Sequence, residues 1–432
     1  MKKKVCLVIC VLFVLLIIVY FFLGKRQGDY TGSHDSIVND DLAIPDYYFE
    51  KGYINNKVAS IPEGKSFIFI TDTHWPVNEK VSTSLITYVM KKADISKVVF
   101  GGDILTRDDT KEKAKATLAQ YLEESIQAWG IDYLPVFGNH DLNMANATGN
   151  LDEMRLSWLD VESTFVGHLA NTAQFERFDD LFPEFETTEE DIAELRAYTH
   201  LHYYCDDNDR GIRYIIINTG TPDNIIIERY FGVQNLSEMY LQMDWLYNTL
   251  MSTPQGYDVI VFGHEMNYNP QEESILGYHM KGIVGQLSAL KMKTSTALYV
   301  SGAENELLDN WISRGNHIYD FSNAPEIGKI LCVSGHNHID YILNCSYTDE
   351  SIESNNYTTY EIESGSTIQQ SVGEVPIIHT QCDAYGAVDS VRCYDMTPGT
   401  ITEQCFDVIT LTEDGVACTR FGAGEDRFLE FR

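Results

Sequence analysis

Leu134-Pro135-Val136-Phe137-Gly138-Asn139-His140-Asp141 reads as an apolar strand that runs into a polar tight turn. The turn sets an amide, an imidazole and a carboxylate on one strand tip. Four other strand-like runs of the chain also end in Asp or His. Phe67-Ile68-Phe69-Ile70 leads to Asp72-Thr73-His74, and Val98-Val99-Phe100 to Gly101-Gly102-Asp103. Val259-Ile260-Val261-Phe262 leads to Gly263-His264, and Ile330-Leu331-Cys332-Val333 to Gly335-His336-Asn337-His338. Helix-like stretches at Ser82–Lys92, Lys111–Trp129 and Leu236–Leu250 separate these runs. Strand-helix alternation implies right-handed crossovers and a largely parallel sheet. In such sheets catalytic groups gather at the carboxyl ends of the strands, where these motifs fall.

A divalent metal that activates water needs hard or borderline ligands and open coordination positions, and Asp and His meet that need. In an extended segment, alternate residues point the same way, so Asp72 and His74 can address one ion. The same logic covers His336 and His338, although a turn there could divide them between two ions. Short Asp-x-His strings occur by chance. Five tips in this order, each behind a strand, are a different matter.

The set resembles the calcineurin-like metallophosphoesterase superfamily, whose pattern runs D-x-H, G-D, G-N-H-D or G-N-H-E, G-H and G-H-x-H. The resemblance covers residues from about 65 to 340 directly, and every metal-binding position is filled. It implies an α/β (α+β) fold, a four-layer αββα sandwich, with a dinuclear site for two divalent or trivalent ions, manganese, iron or zinc foremost. By the resemblance Asp72, His74 and His338 would hold one metal. Asn139, His264 and His336 would hold the other, with Asp103 bridging at a metal separation of roughly 3.5–4 Å. A metal-activated water would be the nucleophile, His140 the general acid, and Asp141 the partner that orients its imidazole. Arg107 could touch substrate. Purple acid phosphatases of the superfamily carry a tyrosine ligand three residues past the bridging Asp. Thr106 stands there, so a tyrosinate-bound ferric site is not expected.

Beyond the five tips the chain divides unevenly. Val5–Leu23 is an unbroken apolar run behind Met1-Lys2-Lys3-Lys4. At 1.5 Å per residue it reaches about 28 Å, close to the hydrocarbon thickness of a bilayer. Tyr20, Phe21, Phe22 and Leu23 are too bulky for a small-x-small cleavage site, so the run reads as a transmembrane signal anchor. Residues 1–4 would then be cytoplasmic, and the body would be membrane-anchored, single-pass, outside the cytoplasm, or secreted if the run is cleaved. Residues 24–60 read as linker and N-terminal extension, and 61–432 as the metallophosphoesterase domain. Within it, 142–212 reads as a helical insertion or cap, with helices at Leu151–Leu159 and Thr188–Leu201. The part from 339 to 432 is strand-rich and reads as a second, mostly antiparallel block.

A net charge of −33 argues against a nucleic-acid duplex as partner, since phosphate backbones need clustered Lys and Arg. It does not exclude a phosphorylated small molecule, because metal ions dominate their local field. Nine cysteines, five of them crowding the C-terminal quarter, permit one or two disulfides with at least one thiol left over. Asn146, Asn235, Asn344 and Asn356 head glycosylation sequons. His279 could reach the site mouth and His379 could line a substrate pocket. The leading expectation is therefore a dinuclear phosphoesterase acting on a mono- or diester or a nucleotide. A catalytically silent scaffold on the same fold, and metal-assisted hydrolysis of another ester or amide, are the alternatives.

Overall fold

The structure is a computed structural model. It describes residues 44–431, apart from 75–78, 107–109, 124–129, 144–154, 167–168, 170–172, 176–188, 220–235, 267–274, 298–317, 346–357, 362–366, 370–373 and 385–393. The apolar run 5–23 and Arg107 lie outside the described residues. Among those residues no helix is long and apolar enough to cross a membrane.

In chain order the elements are α1 (Tyr53–Ser60), β1 (Lys65–Ile70), α2 (Glu79–Ala93), β2 (Val98–Phe100), α3 (Lys111–Tyr121), β3 (Tyr133–Pro135), α4 (Trp158–Phe165), β4 (Gln174–Phe175), α5 (Glu189–Thr199), β5 (Tyr203–Asp207), β6 (Ile212–Ile216), α6 (Leu236–Met251), β7 (Asp258–Phe262) and α7 (Ile275–Met292). There follow β8 (Ser295–Ala297), β9 (Ile318–Asp320), β10 (Ile330–Ser334), β11 (Tyr341–Cys345), β12 (Thr358–Glu361), β13 (Thr367–Gln369), β14 (Val375–His379), β15 (Cys405–Leu411), β16 (Gly415–Gly422) and β17 (Arg427–Glu430). Helix starts obey local chemistry. The Thr110 hydroxyl caps α3 by accepting from the Lys113 amide. Ser157 and Asp160 close a reciprocal capping box at α4.

Two mixed sheets carry the fold. One has the order β13-β17-β16-β15-β1-β2-β3, the other β12-β11-β14-β10-β7-β6-β5-β4. Each contains a parallel run, β1-β2-β3 in the first and β6-β7-β10-β14 in the second. The sheets face each other through aromatic side chains: Phe67 meets Tyr214 and Phe262 edge-on at 5.9 and 5.6 Å, and Phe69 stacks on Phe262 at 6.0 Å. Fully burying one such side chain is worth about 1.5–3 kcal/mol, so this seam fixes how the two sets of strand tips meet. Helices cover the outer faces. Phe100 packs edge-on against Tyr121 of α3. Met243 and Leu246 of α6 and Met280, Ile283 and Leu287 of α7 bury against Ile215, Val259, Val261 and Cys332.

Several sequence expectations change. The compact unit runs from Ala43 to Arg432, so the domain begins ahead of residue 61. Tyr48 is buried, and the Tyr53 hydroxyl accepts the Gly422 amide, which ties the extension to β16. The C-terminal strands do not form a block of their own. β11, β12 and β14 extend the second sheet and β13, β15, β16 and β17 the first, with β15 antiparallel to β1. Helix α7 was not anticipated. In the insertion, α4 and α5 pack on each other through Trp158 and Tyr198, 4.9 Å apart, and the Trp158 amide donates to Glu194. Among the described residues six cysteines (Cys205, Cys332, Cys345, Cys382, Cys405 and Cys418) are buried free thiols, so no disulfide forms there. Asn344 is fully buried in β11 and closed to a glycan, and the other three sequon asparagines lie outside the described residues.

Candidate active site

The five tips converge where the two parallel runs end, and the backbone there is unusual. Asp72, His74, Asp103, His336 and His338 all take left-handed φ values, of 54°, 42°, 54°, 69° and 58°. Each such position costs a non-glycine residue roughly 1–3 kcal/mol, and such strain persists where the surroundings over-determine it. Asp72-Thr73-His74 is therefore a turn, not the extended segment expected. The left-handed turns curl side chains back over the strand ends. Gly138 makes room for this, because a Cβ on it would lie 2.3 Å from the Asp103 amide nitrogen.

Two ligand-like groups result: Asp72 with His74 and His338, and Asp103 with His264 and His336. Around Asp72, His338 Nε2 lies 3.0 Å from Oδ1, and His74 Nε2 lies 3.5 Å from His338 Nε2. Oδ2 accepts from the His336 amide at 3.0 Å and the Thr71 hydroxyl at 2.6 Å. In the second group His264 Nε2 stands 3.1 Å from Asp103 Oδ2, and Asn139 Oδ1 lies 3.0 Å from His336 Nδ1. His264 Nε2 is also 3.9 Å from Asp72 Oδ1, so the groups share one basin. The turn at His336-Asn337-His338 divides its two imidazoles between the groups. Asp72, His74, Asp103 and His264 form the buried floor, while Asn139, His140, His336 and His338 line the rim.

The donor set fits two metal ions. Each floor histidine is anchored through Nδ1 on a backbone carbonyl, His264 on Gly101 at 2.7 Å and His74 on Leu105 at 3.1 Å. That sets the tautomer and leaves Nε2 with its lone pair toward the basin. Among the described residues His264 Nε2 is buried and makes no hydrogen bond, with the charge of Asp103 Oδ2 beside it at 3.1 Å. A buried orphan nitrogen of this kind is costly unless something binds it. Nitrogen and oxygen ligation suits manganese, iron or zinc without selecting among them.

Without the cations, the charges in the basin perturb each other. Burial alone would lower the His264 imidazole, but Asp103 and Asp72 outweigh it and raise the pKa to about 10. His338 is raised to about 10 against burial by Asp72 and the neighbouring Cys382 thiol. His336, where burial dominates, falls to about 4. Burial raises the Asp103 carboxyl, yet the His264 imidazole holds it down at about 2. Cation binding must displace protons from His264 and His338, so affinity rises with pH.

His140 and Asp141 do not form the pair expected. The Asp141 carboxylate faces the backbone and accepts from the amides of Asp103, Ile104, Leu105 and Gly138 at 2.8–3.2 Å. It clasps the tips of β2 and β3 together. His140 is held through Nδ1 by the Thr106 carbonyl at 2.6 Å, and its Nε2 stands 3.9 Å from Asp103 Oδ2. The Thr106 hydroxyl donates to the His74 carbonyl at 3.3 Å, away from any ligand role.

The model of the calcineurin-like phosphoesterase family matches residues 65–268. That span holds the first four tips in order. This stretch of the chain is similar to the calcineurin-like phosphoesterases. Among solved structures, a dimetal phosphatase from Danio rerio is 12% identical, covers 86% of this chain and 100% of its own, and has a TM-score of 0.42. The phosphopantetheinyl hydrolase of Mycobacterium tuberculosis is 9% identical, covers 66% and 86%, and has a TM-score of 0.25. Neither likeness is close enough to carry an argument. No curated protein matches the chain at a significant level.

Two residues of this site escaped the sequence reading. Glu265 is buried directly after His264, with Oε1 3.6 Å from His336 Nδ1. Cys382, counted only among the C-terminal cysteines, sits against His338. Both follow strand ends, β7 and β14, but neither matches a ligand motif. His279 does not reach the mouth. Its Nε2 binds Gln242 of α6, which also binds His202, on the helix-covered face of the second sheet. His379 is fully buried and stacks on the Tyr341 ring at 3.9 Å, packed at the end of β14.

Proposed function

We propose that this chain hydrolyses a phosphate ester, a mono- or diester or a nucleotide, at a dinuclear centre with His140 as general acid. The observation that carries the reading is the shared basin, in which two three-residue ligand groups meet around Asp72 and Asp103 with the His140 ring at the rim. Asp72, His74 and His338 would hold one cation, and Asp103, Asn139, His264 and His336 the other. When bound, the cations polarise the phosphoryl oxygens and lower the pKa of a water to near neutrality.

The protein's own part is positioning and proton transfer. The Thr106 carbonyl keeps a proton on Nδ1 of His140 and fixes the ring plane. Nε2 is then the atom that releases a proton to the leaving oxygen, and the ring returns to the tautomer that Thr106 already stabilises. The His140 amide donates to Asp103 Oδ1 at 2.8 Å, so the acid and a metal ligand move as one piece. Asp141 acts through the backbone by holding both tips in register. The pair α4–α5 is our candidate for a cap over the substrate.

The test uses the full chain, purified and loaded with manganese. It is assayed on p-nitrophenyl phosphate, the bis-ester and a nucleotide panel, with Asp103→Asn and His140→Ala alongside. Turnover that both substitutions abolish is expected. Silence on every phosphorus substrate, with two metals per chain shown by elemental analysis, would overturn the reading. We also take residues 5–23 as a membrane anchor with the domain outside the cytoplasm. Release of the chain from membranes by alkaline carbonate would contradict that.

A further inference from the structure

The tip of β6 carries a polar residue that the metal groups do not use. Ile216 pairs with Phe262 in parallel register, and the Ile217 amide donates to the Phe262 carbonyl at 2.8 Å. Two residues further along each chain, Asn218 therefore stands beside His264. The Glu265 amide donates to the Thr219 hydroxyl at 2.9 Å and ties the two tips together. Strand alternation sets the direction of the side chain. Ile215, Ile217, Val259 and Val261 belong to the helix-covered core, whereas Tyr214 and Phe262 stack on the inner face at 6.2 Å. Asn218 follows Tyr214 and Ile216 in phase two residues past the end of β6, and continued alternation places it on the inner-face side of the strand.

The main chain of Asn218 is fully engaged. Its N–H donates to His202 Nδ1 at 3.2 Å, and its carbonyl accepts from Gln242 Nε2 at 3.3 Å. The side chain is not. It is only 4% exposed, and among the described residues neither Nδ2 nor Oδ1 has a hydrogen-bond partner. Buried amides are nearly always paired, and one left unpaired beside a catalytic basin calls for a ligand. Ionised phosphoryl oxygens only accept hydrogen bonds, so they can satisfy Nδ2 but not Oδ1. Oδ1 needs an O–H or N–H.

We propose that Asn218 is a specificity-determining residue that binds the substrate's leaving group. Nδ2 donates to an oxygen at or next to the phosphoryl group, and Oδ1 accepts from a hydroxyl or amide N–H of the leaving group. The substrate class is a phosphate ester of a polyol, sugar or amide-bearing alcohol, not of a plain alkyl or aryl alcohol. This rests on the phosphoesterase reading.

Binding of two non-hydrolysable phosphonates to the manganese-loaded full chain tests the proposal separately from turnover. One ligand is propylphosphonate and the other 2,3-dihydroxypropylphosphonate, each titrated by calorimetry. Wild type should prefer the dihydroxy ligand by about tenfold or more, the usual scale for a buried hydrogen-bonding group that loses its partner. Asn218→Ala and the near-isosteric Asn218→Leu should erase the preference and retain two metals per chain. Asn218→Leu should also raise the melting temperature of the ligand-free protein, because it removes an unpaired buried amide. A structural role predicts the opposite shift. Equal affinities in wild type, a preference that survives both substitutions, or loss of one metal in either variant would overturn the assignment. Silence on every phosphorus substrate of the panel, nucleotides included, would instead strike at the phosphoesterase reading.

Discussion

His140 Nδ1 donates to the carbonyl oxygen of Thr106 at 2.6 Å, and no carboxylate takes that place. The ring is therefore oriented by main chain from the loop after β2, next to the Asp103 tip. His140→Ala should lower kcat by about 10²–10⁴ while both cations stay bound. Elemental analysis and steady-state kinetics check this. Loss of a metal would show that His140 is a ligand instead.

Asp141 gives a sharper contrast. Its two oxygens each accept two backbone amides, Ile104 and Leu105 on one, Asp103 and Gly138 on the other. Asp141→Asn turns an NH₂ group toward two of these donors whichever way the amide is placed. The fold should lose roughly 2–4 kcal/mol by urea denaturation, from lost and unsatisfied buried hydrogen bonds. An active-site partner of His140 would instead lower kcat without lowering stability.

Gly335 lies against the first ligand group. A Cβ there would fall 2.0 Å from Thr71 Oγ1 and 2.5 Å from Asp72 Oδ2, in the turn that carries His336 and His338. Gly335→Ala must displace Asp72 or the turn. Affinity for one cation should fall at least tenfold, with metal content moving from two per chain toward one after dialysis. Unchanged stoichiometry would mean that the turn relaxes without disturbing Asp72.

These cases show what was legible in the chain. The ligand positions stood out because Asp and His follow runs of β-branched and aromatic residues, a local pattern with a chemical reason. The role of Asp141 was not legible, because a carboxylate beside a histidine gives no sign that its oxygens face amides 36 to 38 residues away. Asn218 and Glu265 were missed for a related reason: one strand tip ends in Asn-Thr and the other hides a carboxylate behind its histidine. The allocation of the C-terminal strands depends on pairings such as Phe67 with Ile409, which no window of local sequence contains. Helix α7 is apolar along much of its length and lacks the two-faced pattern that marked Leu236–Leu250.

Two buried histidines set a dependence on pH. Burial lowers His202 to about 3, with His279 adding to the effect, and lowers His279 to about 4. Both stay neutral in the fold, while the unfolded chain takes up protons near pH 6.5. Their contribution is present above pH 6.5 and is lost as pH falls from there toward 4. His264 and His338, raised to about 10, stay protonated in the fold throughout and add no slope once the unfolded chain is protonated as well, below about pH 5.5. Chemical denaturation of the metal-free protein between pH 6.5 and 4.5 should show His279→Gln less pH-sensitive than wild type, by up to one proton, about 1.4 kcal/mol per pH unit. Parallel curves would mean that His279 is protonated in the fold.

The buried charge network beneath β10 and β14 yields the last expectation. Arg420 of β16 donates through Nε and Nη2 to Asp407 of β15, both at 2.9 Å, and through Nη1 and Nη2 to Asp340, both at 2.7 Å. Asp340 Oδ1 also accepts the Gln381 amide at 2.8 Å. Asp340 follows His338 by two residues, so this guanidinium joins the first sheet to the segment that carries a ligand. Arg427 adds a second cation to Asp407 and binds the His379 carbonyl at 2.7 Å. Arg420→Met takes both guanidinium bonds from Asp340, leaving it only Arg427 at 3.4 Å, and should cost about 3–5 kcal/mol. Asp340→Leu combined with Arg420→Met should recover part of that loss, because Asp407 keeps Arg427 and the carboxylate that lost its two hydrogen bonds is removed. Urea midpoints of the two single variants and the double variant decide the matter. Strict additivity of the two changes would mean that Arg420 and Asp340 do not act as a pair, whatever their separation.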